Sequence, residues 1–390
     1  MKRTALVVGA GVGGLAAAIA LRESGWNVRI FERAARARQL GFGLGMAPNA
    51  IAGLRRLGVA DTVLARGFAP TRGEIRRMDG TVLKRPEVPS PEALLGGPMI
   101  VASRSALHGA LLESVGRDAV TFGSEITGFT ADDGRVTIHA ATGDTAEGDM
   151  LIGADGVGSA TRRVLHPSEP PPRPCGIIAV RGASGAAHHL GDLSGVMYLG
   201  PGLESVLVRS GGTGVYWYLS LAREVVPSDT RDPEAILAHY SPRMDATFRA
   251  VTSHTEEFRC DELADRDPLP HWGHGVVTLL GDAAHPVLPY TGQGAAQAIV
   301  DAVALGQALS DGMSVPDALR SYELERCPKT AVLVAQGRRT ARVMRVTNPV
   351  ACGLLQLAIR LAPVRLLTKV YTRLNRRAGT DVTSAGQRDA

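Results

Sequence analysis

A chain of 390 residues has room for two or three domains or one composite one, and its 45% apolar and 21% charged residues exclude a disordered protein. The net charge of +5 does not mark a nucleic-acid binder: twelve Lys or Arg and no acid stand between Glu325 and Asp381, so the rest of the chain is acidic on balance. No reading motif accompanies the excess. Cys175, Cys260, Cys327 and Cys352 are widely spaced without a CxxC, which signals no metal site and no dithiol centre and fits a reduced, cytoplasmic setting.

The first 21 residues admit two readings. Lys2 and Arg3 before an apolar run ending in small residues have the form of a secretory signal, whereas TALVVGAG reads as a short buried strand stopped by glycines. GLAAAIALRESG then reads as a helix ended by Gly25, and NVRIFER as a second strand, which predicts a parallel unit with a right-handed crossover. In GAGVGG, Gly9 permits the tight turn, Gly11 lets backbone approach a pyrophosphate, and Gly14 lets helix and strand pack closely. The helix N-terminus adds free amides and partial positive charge. Glu32, ending the second strand, is placed to accept hydrogen bonds from a ribose diol. A cleaved signal would leave NVRIFE without a partner strand, so the dinucleotide site and a cytoplasmic location are the expectation.

Helices are predicted at APNAIAGLRRLG and at SRSALHGALLESVG, where Ser103 is the N-cap. AVTFGSEITGFT and RVTIHAAT read as strands, and DMLIGADGVGSATRRVL as a strand running through a glycine turn into a helix. From residue 175 to 265 alternation dominates, as in GVMYLG, ESVLVRS and GVYWYLSLAR, and predicts an antiparallel sheet. VVTLLGDAAH returns to buried-strand character, and GQGAAQAIVDAVALGQAL is a long Ala-rich helix. Asp282 after the strand suits a polyol hydroxyl, and Gly292 to Ala296 place backbone amides where an anion is favoured. Beyond the ambiguous start no apolar run reaches the roughly 18 residues of a membrane span.

The start GAGVGGLAAAIAL with Glu32, the middle LIGADGVGSATR and the late GDAAHPVLPYTGQGAAQAIVDA, in that order, resemble the single-component FAD-dependent aromatic monooxygenases, the family of para-hydroxybenzoate and salicylate hydroxylases. The resemblance covers about residues 1 to 345. It implies an α/β fold: a Rossmann-like FAD-binding domain (1–174 and 266–345), an inserted, mainly antiparallel β-rich substrate domain (175–265, with a small part near 70–100), and a C-terminal helical segment and tail (346–390). It further implies that Gly9, Gly11, Gly13, Gly14 and Glu32 hold the ADP half of FAD with Arg33 beside it. Gly45, Arg104 and Ile126 join the cofactor cradle. Asp155 would serve FAD and nicotinamide nucleotide, Asp282 the ribityl chain, and Gly292, Gln293, Gly294, Ala295 and Ala296 the isoalloxazine, with Pro289 beside the reacting carbon. The implied activity is reduction of FAD by transient NADH or NADPH, then hydroxylation or epoxidation of a small aromatic or conjugated substrate by dioxygen through a flavin 4a-hydroperoxide.

On the substrate side, Arg181, Tyr216, Tyr218, Tyr290 and Met46 are candidates to face the pocket, each with core or surface packing as the alternative. Pro289, Tyr216 and Arg181 are the candidate catalytic groups. A phenol needs a base to enrich its ring, and no base is assigned; His285 is expected to make a structural hydrogen bond, and His271 and His274 to lie in loops. Glu204 stands where the urate hydroxylases place an arginine near substrate, which counts against urate. In VRLLTKVYTRLNRR, Leu366, Leu367, Val370, Tyr371 and Leu374 form a stripe with Arg365, Lys369 and Arg373 mainly opposite, expected to dock on the FAD domain, with anionic membrane as the alternative. Rival functions are a flavin reductase without oxygen transfer and a non-catalytic FAD protein; a halogenase is disfavoured by the lack of WxWxIP.

Overall fold

The structure is a computed structural model that describes residues 2–37, 42–86, 97–132, 134–227 and 230–363. Its nucleotide-binding half is built on a five-stranded parallel sheet, in the order Val277–Leu279, Met150–Gly153, Thr4–Val8, Asn27–Glu32, Val120–Phe122. The strand Thr4–Val8 sits at its centre, buried on both faces, which is why TALVV carries no alternation. Helix Val12–Glu23 covers one face, and its alanines let the helix Gly294–Ser310 come close: a Cβ on Gly306 would lie 2.9 Å from the Ala20 Cβ. An antiparallel meander, Ile126–Asp132, Arg135–Ala140 and Thr145–Gly148, leads back into the sheet.

The second layer is a seven-stranded sheet, in the order Thr255–Asp265, Arg173–Ser184, Val215–Ala222, Leu203–Arg209, Gly195–Gly200, Gly73–Arg77, Val82–Lys84. Two of its strands therefore come from upstream of the alternating region, and Gly195–Gly200 joins Gly73–Arg77 in parallel. One face is apolar: Val180, Leu207, Trp217, Leu219 and Leu221 pack on Ile236, Tyr240, Phe248 and Val251 of the helices Pro233–Tyr240 and Ala246–Thr252. Strand periodicity sends the intervening side chains to the other face, toward the nucleotide-binding half.

Ser103 caps its helix as predicted, accepting from the Ala106 amide at 3.1 Å. After the late helix the chain runs through Val315–Met344 and Pro349–Leu361. The last helix is held by Gln356, which donates to the Leu199 carbonyl and accepts from Arg77, and it turns Val350, Leu354, Leu357 and Leu361 outward. The stripe predicted at Leu366 to Leu374 lies outside the described residues. Among the described residues no helix is long and apolar enough to cross a membrane.

Candidate active site

A cavity of about 720 Å³ lies between the two sheets. Its nucleotide end is the glycine turn. Gly9 adopts φ +101°, and a Cβ there would meet the Ala154 carbonyl at 2.5 Å; one on Gly14 would sit 1.9 Å from the Gly9 carbonyl, so helix and strand touch only because both residues are glycine. Gly11 and Gly45 differ: a Cβ on either would meet no atom within 4 Å, and the space they leave belongs to the cavity. Glu32 lines this end with both oxygens oriented, one accepting from the Ala10 amide and the other from the Ala34 amide, each at 2.8 Å. His108 fixes the same loop through the Ala10 carbonyl at 2.7 Å.

The middle and late motifs meet at one turn. Arg162, buried on the helix Ala160–Leu165 that follows GADGVGS, donates to the carbonyls of Ala283 and Ala284 and pairs with Glu169. From the other side Asp301, fully buried on the late helix, accepts from the Gly281 amide, from His285 at 2.6 Å and from Arg326 at 2.7 Å. The two clamps hold Gly281–Ala284 so that Asp282 projects into the cavity. Its carboxyl is exposed to the cavity yet deep within the protein, and burial pushes its pKa above the ordinary carboxylate range against the opposing charges of His285 and Arg104. Burial likewise lowers the Arg104 guanidinium, with Asp282 opposing. Opposite, the late helix opens at Gly294, which lines the cavity together with Gly292 and Ala295, and a helix start favours an anion beside it.

The seven-stranded sheet forms the roof. Arg181 and Tyr218 are register partners on neighbouring strands, as are Tyr218 and Val206, and Tyr216 and Val208, so all five side chains share the cavity face. Tyr290 and Pro289 close it from the turn Pro289–Thr291. Behind them lies Glu204, 4% exposed, whose Oε1 accepts from the Tyr218 hydroxyl at 2.9 Å and whose Oε2 has no hydrogen-bond partner among the described residues. Burial pushes the Glu204 carboxyl up to about 7, the Tyr218 hydrogen bond holding it down.

Of the residues singled out from the sequence, Gly9, Gly11, Gly13, Glu32, Arg33, Gly45, Arg104, Ile126, Asp155, Arg181, Tyr216, Tyr218, Asp282, Pro289, Tyr290, Gly292, Gly294 and Ala295 line the cavity. Gly14 lies beneath it as the packing glycine. One expectation is corrected. Met46 is completely buried in the core of the nucleotide-binding half and does not face the pocket. The Gln293 side chain accepts from Asn49 and Gln297, each at 3.3 Å, and Ala296 is fully buried, so what these two residues offer the cavity is backbone rather than side chain, as expected of a helix start. Asp155 lines the cavity, and its carboxylate also accepts from Ser159 and from the amides of Ala160 and Thr161, which makes it the brace of the Arg162 helix as well. Single-residue reasoning missed Arg162, Asp301 and Arg326, although Arg162 ends the middle motif and Asp301 is the last residue but one of the late motif. The structural hydrogen bond expected of His285 is present, and His271 and His274 are exposed loop residues.

Residues 2–336 match the family model described as an FAD binding domain. The chain is 32% identical to the aurachin C monooxygenase/isomerase of Stigmatella aurantiaca over 361 residues, covering 92% of this chain and 94% of that protein. It is 34% identical to the 3-amino-4-hydroxybenzoate 2-monooxygenase of Streptomyces cremeus, covering 89% of each. Among solved structures, Klebsiella pneumoniae HpxO complexed with FAD and uric acid superimposes with a TM-score of 0.89 at 26% identity, over 96% of this chain and 97% of that one.

Proposed function

This chain belongs to the family of single-component FAD-dependent aromatic monooxygenases, and from that premise we propose that NADH or NADPH and dioxygen are its co-substrates in oxygenating a small aromatic or conjugated ring. The observation that carries the reading is one cavity that joins the glycine turn, the clamped Asp282 and an aromatic-lined roof. The room left by Gly11 and Gly45 and the anion-favouring helix start at Gly294 suit a dinucleotide with a flavin ring.

When bound, FAD supplies two-electron exchange with the nicotinamide and activation of dioxygen. The protein's part is to hold and enclose. The turn at Gly9 and Gly11 receives the pyrophosphate, Glu32 accepts from the adenosine ribose, and Asp282 accepts from the ribityl chain. The amides at Gly294 and Ala295 favour negative charge on the ring system, and Arg104 adds a cation beside it. Tyr216, Tyr218, Val206 and Val208 cover the ring of the substrate and exclude water. Urate does not suit this roof, because the buried Glu204 replaces a cation with a carboxyl.

Stopped-flow reduction of the holoprotein by NADH and by NADPH, across phenols, quinolones, purines and polyenes, tests the proposal when paired with dioxygen uptake. At least one ring compound should accelerate reduction and consume dioxygen with a single oxygen gained by the product. Reduction that never consumes dioxygen with substrate would establish a reductase instead, and a protein that retains no FAD would overturn the reading altogether.

A further inference from the structure

The Tyr218 and Glu204 pair is not used by cofactor binding, and its geometry dictates what it can recognise. A tyrosine hydroxyl carries one hydrogen and two acceptor lone pairs. At Tyr218 that hydrogen is committed to Glu204 Oε1 at 2.9 Å, so the cavity, which Tyr218 lines, is offered lone pairs. Glu204 itself is 4% exposed, its Oε2 is unpartnered among the described residues, and no lysine or arginine there pairs with it. The charged and titratable groups around the pair are Arg181 across the strand ladder, Tyr216 on the same strand with its ring centroid 6.3 Å from that of Tyr218, and Tyr290 from the facing turn, with Cys175 behind Tyr290. Arg181 is itself shared with Asp261 at 4.0 Å.

We propose that Tyr218 and Glu204 form a paired acceptor for a ring O–H or N–H of the substrate, with Glu204 acting through Tyr218 to take up the proton. The inference rests on the aromatic-substrate reading above. The substrate X–H bond breaks and its proton moves to the Tyr218 oxygen, while the Tyr218 O–H bond breaks and that proton moves to Glu204 Oε1. The electron pair stays on X, enriching the ring, and nothing is oxidised or reduced. Burial makes Glu204 a stronger base than a solvated carboxylate, since it penalises its ionised form. A substrate carboxylate placed against these lone pairs finds no donor and is selected against.

The test uses FAD-loaded protein with 4-nitrophenol as a chromophoric O–H donor and 4-nitroanisole, its O-methyl ether, as the donor-free control. The wild type should bind the phenol about tenfold or more tighter than the ether, as expected when a buried acceptor loses its donor. It should also hold the phenol as nitrophenolate, with a bound-state pH profile displaced from that of free nitrophenol. Checked for unchanged FAD content, Tyr218→Phe should abolish the preference, while Glu204→Gln, which keeps an acceptor for the Tyr218 hydrogen, should retain the preference but leave the bound phenol neutral. Variants that bind nitrophenolate with the wild-type profile overturn the proposal, as does a wild type that binds phenol and ether equally. A wild type that binds neither probe overturns the pair as an acceptor for a phenol, whereas the aromatic-substrate reading falls only if every ring compound of the wider panel also fails to accelerate reduction.

Discussion

Glu204 shows how far one side chain can depart from what its neighbours in sequence suggest. In the folded chain it titrates near 7 against 4.5 for the solvated group, because burial penalises its ionised form. Between those pH values the folded state keeps a proton that the unfolded state has lost, so stability falls as pH rises from about 4.5 to about 7 and is level above. The difference is on the order of 3 kcal/mol when fully developed. Glu204→Gln removes the titration and keeps an acceptor for Tyr218. It should therefore melt higher than the wild type above pH 7 and at the same temperature near pH 4.5, by circular dichroism across pH. The glycines were legible at this scale because part of their reason is local: Gly9 has a positive φ and Gly14 a contact within one turn, although Gly9 also makes room for the distant Ala154 carbonyl. Met46 was not, because only the course of the strand Gly43–Met46 decides that Gly45 opens on the cavity and the next side chain enters the core.

At the scale of elements, the turn Gly281–Ala284 is a composite of three distant segments. Its carbonyls are held by Arg162 and its first amide by Asp301, which also neutralises Arg326. Asp301→Ala leaves the Arg326 guanidinium buried without its counter-charge, a change that costs about 3 to 5 kcal/mol. Denaturant unfolding should show that loss, and gel filtration should show lower FAD retention than the wild type because Asp282 is no longer held. An unchanged FAD content in a destabilised variant would confine the clamp to stability. The element types were readable from period and caps, as Ser103 and the Ala-rich late helix show. The clamps were not, since nothing in the spacing of Arg162, Asp301 and Arg326 records that they converge on one turn.

At the scale of the whole molecule, the cavity exists because two sheets face one another, one parallel and buried on both faces, the other apolar on its helix side and polar-aromatic on its cavity side. A ligand that binds only the folded state raises stability by about 2.7 kcal/mol at a hundredfold excess over its Kd. Calorimetry of stripped and FAD-reloaded protein should accordingly show the melting temperature rising by several degrees and depending on FAD concentration; an unchanged melting temperature would mean that the folded chain does not hold FAD. The sequence by itself determined the strand and helix periods, the glycine turn with Glu32 at the next strand's end, and the order of the three motifs, because each rests on contacts within some twenty residues. Only the tertiary structure decided that Arg162 and Asp301 hold Asp282, that the small part expected near 70–100 enters the roof by pairing Gly73–Arg77 in parallel with Gly195–Gly200, and that Tyr218 points its single hydrogen at Glu204. Those relations depend on strand register and sheet-to-sheet packing, which are set by the burial of whole faces and are written in no local spacing.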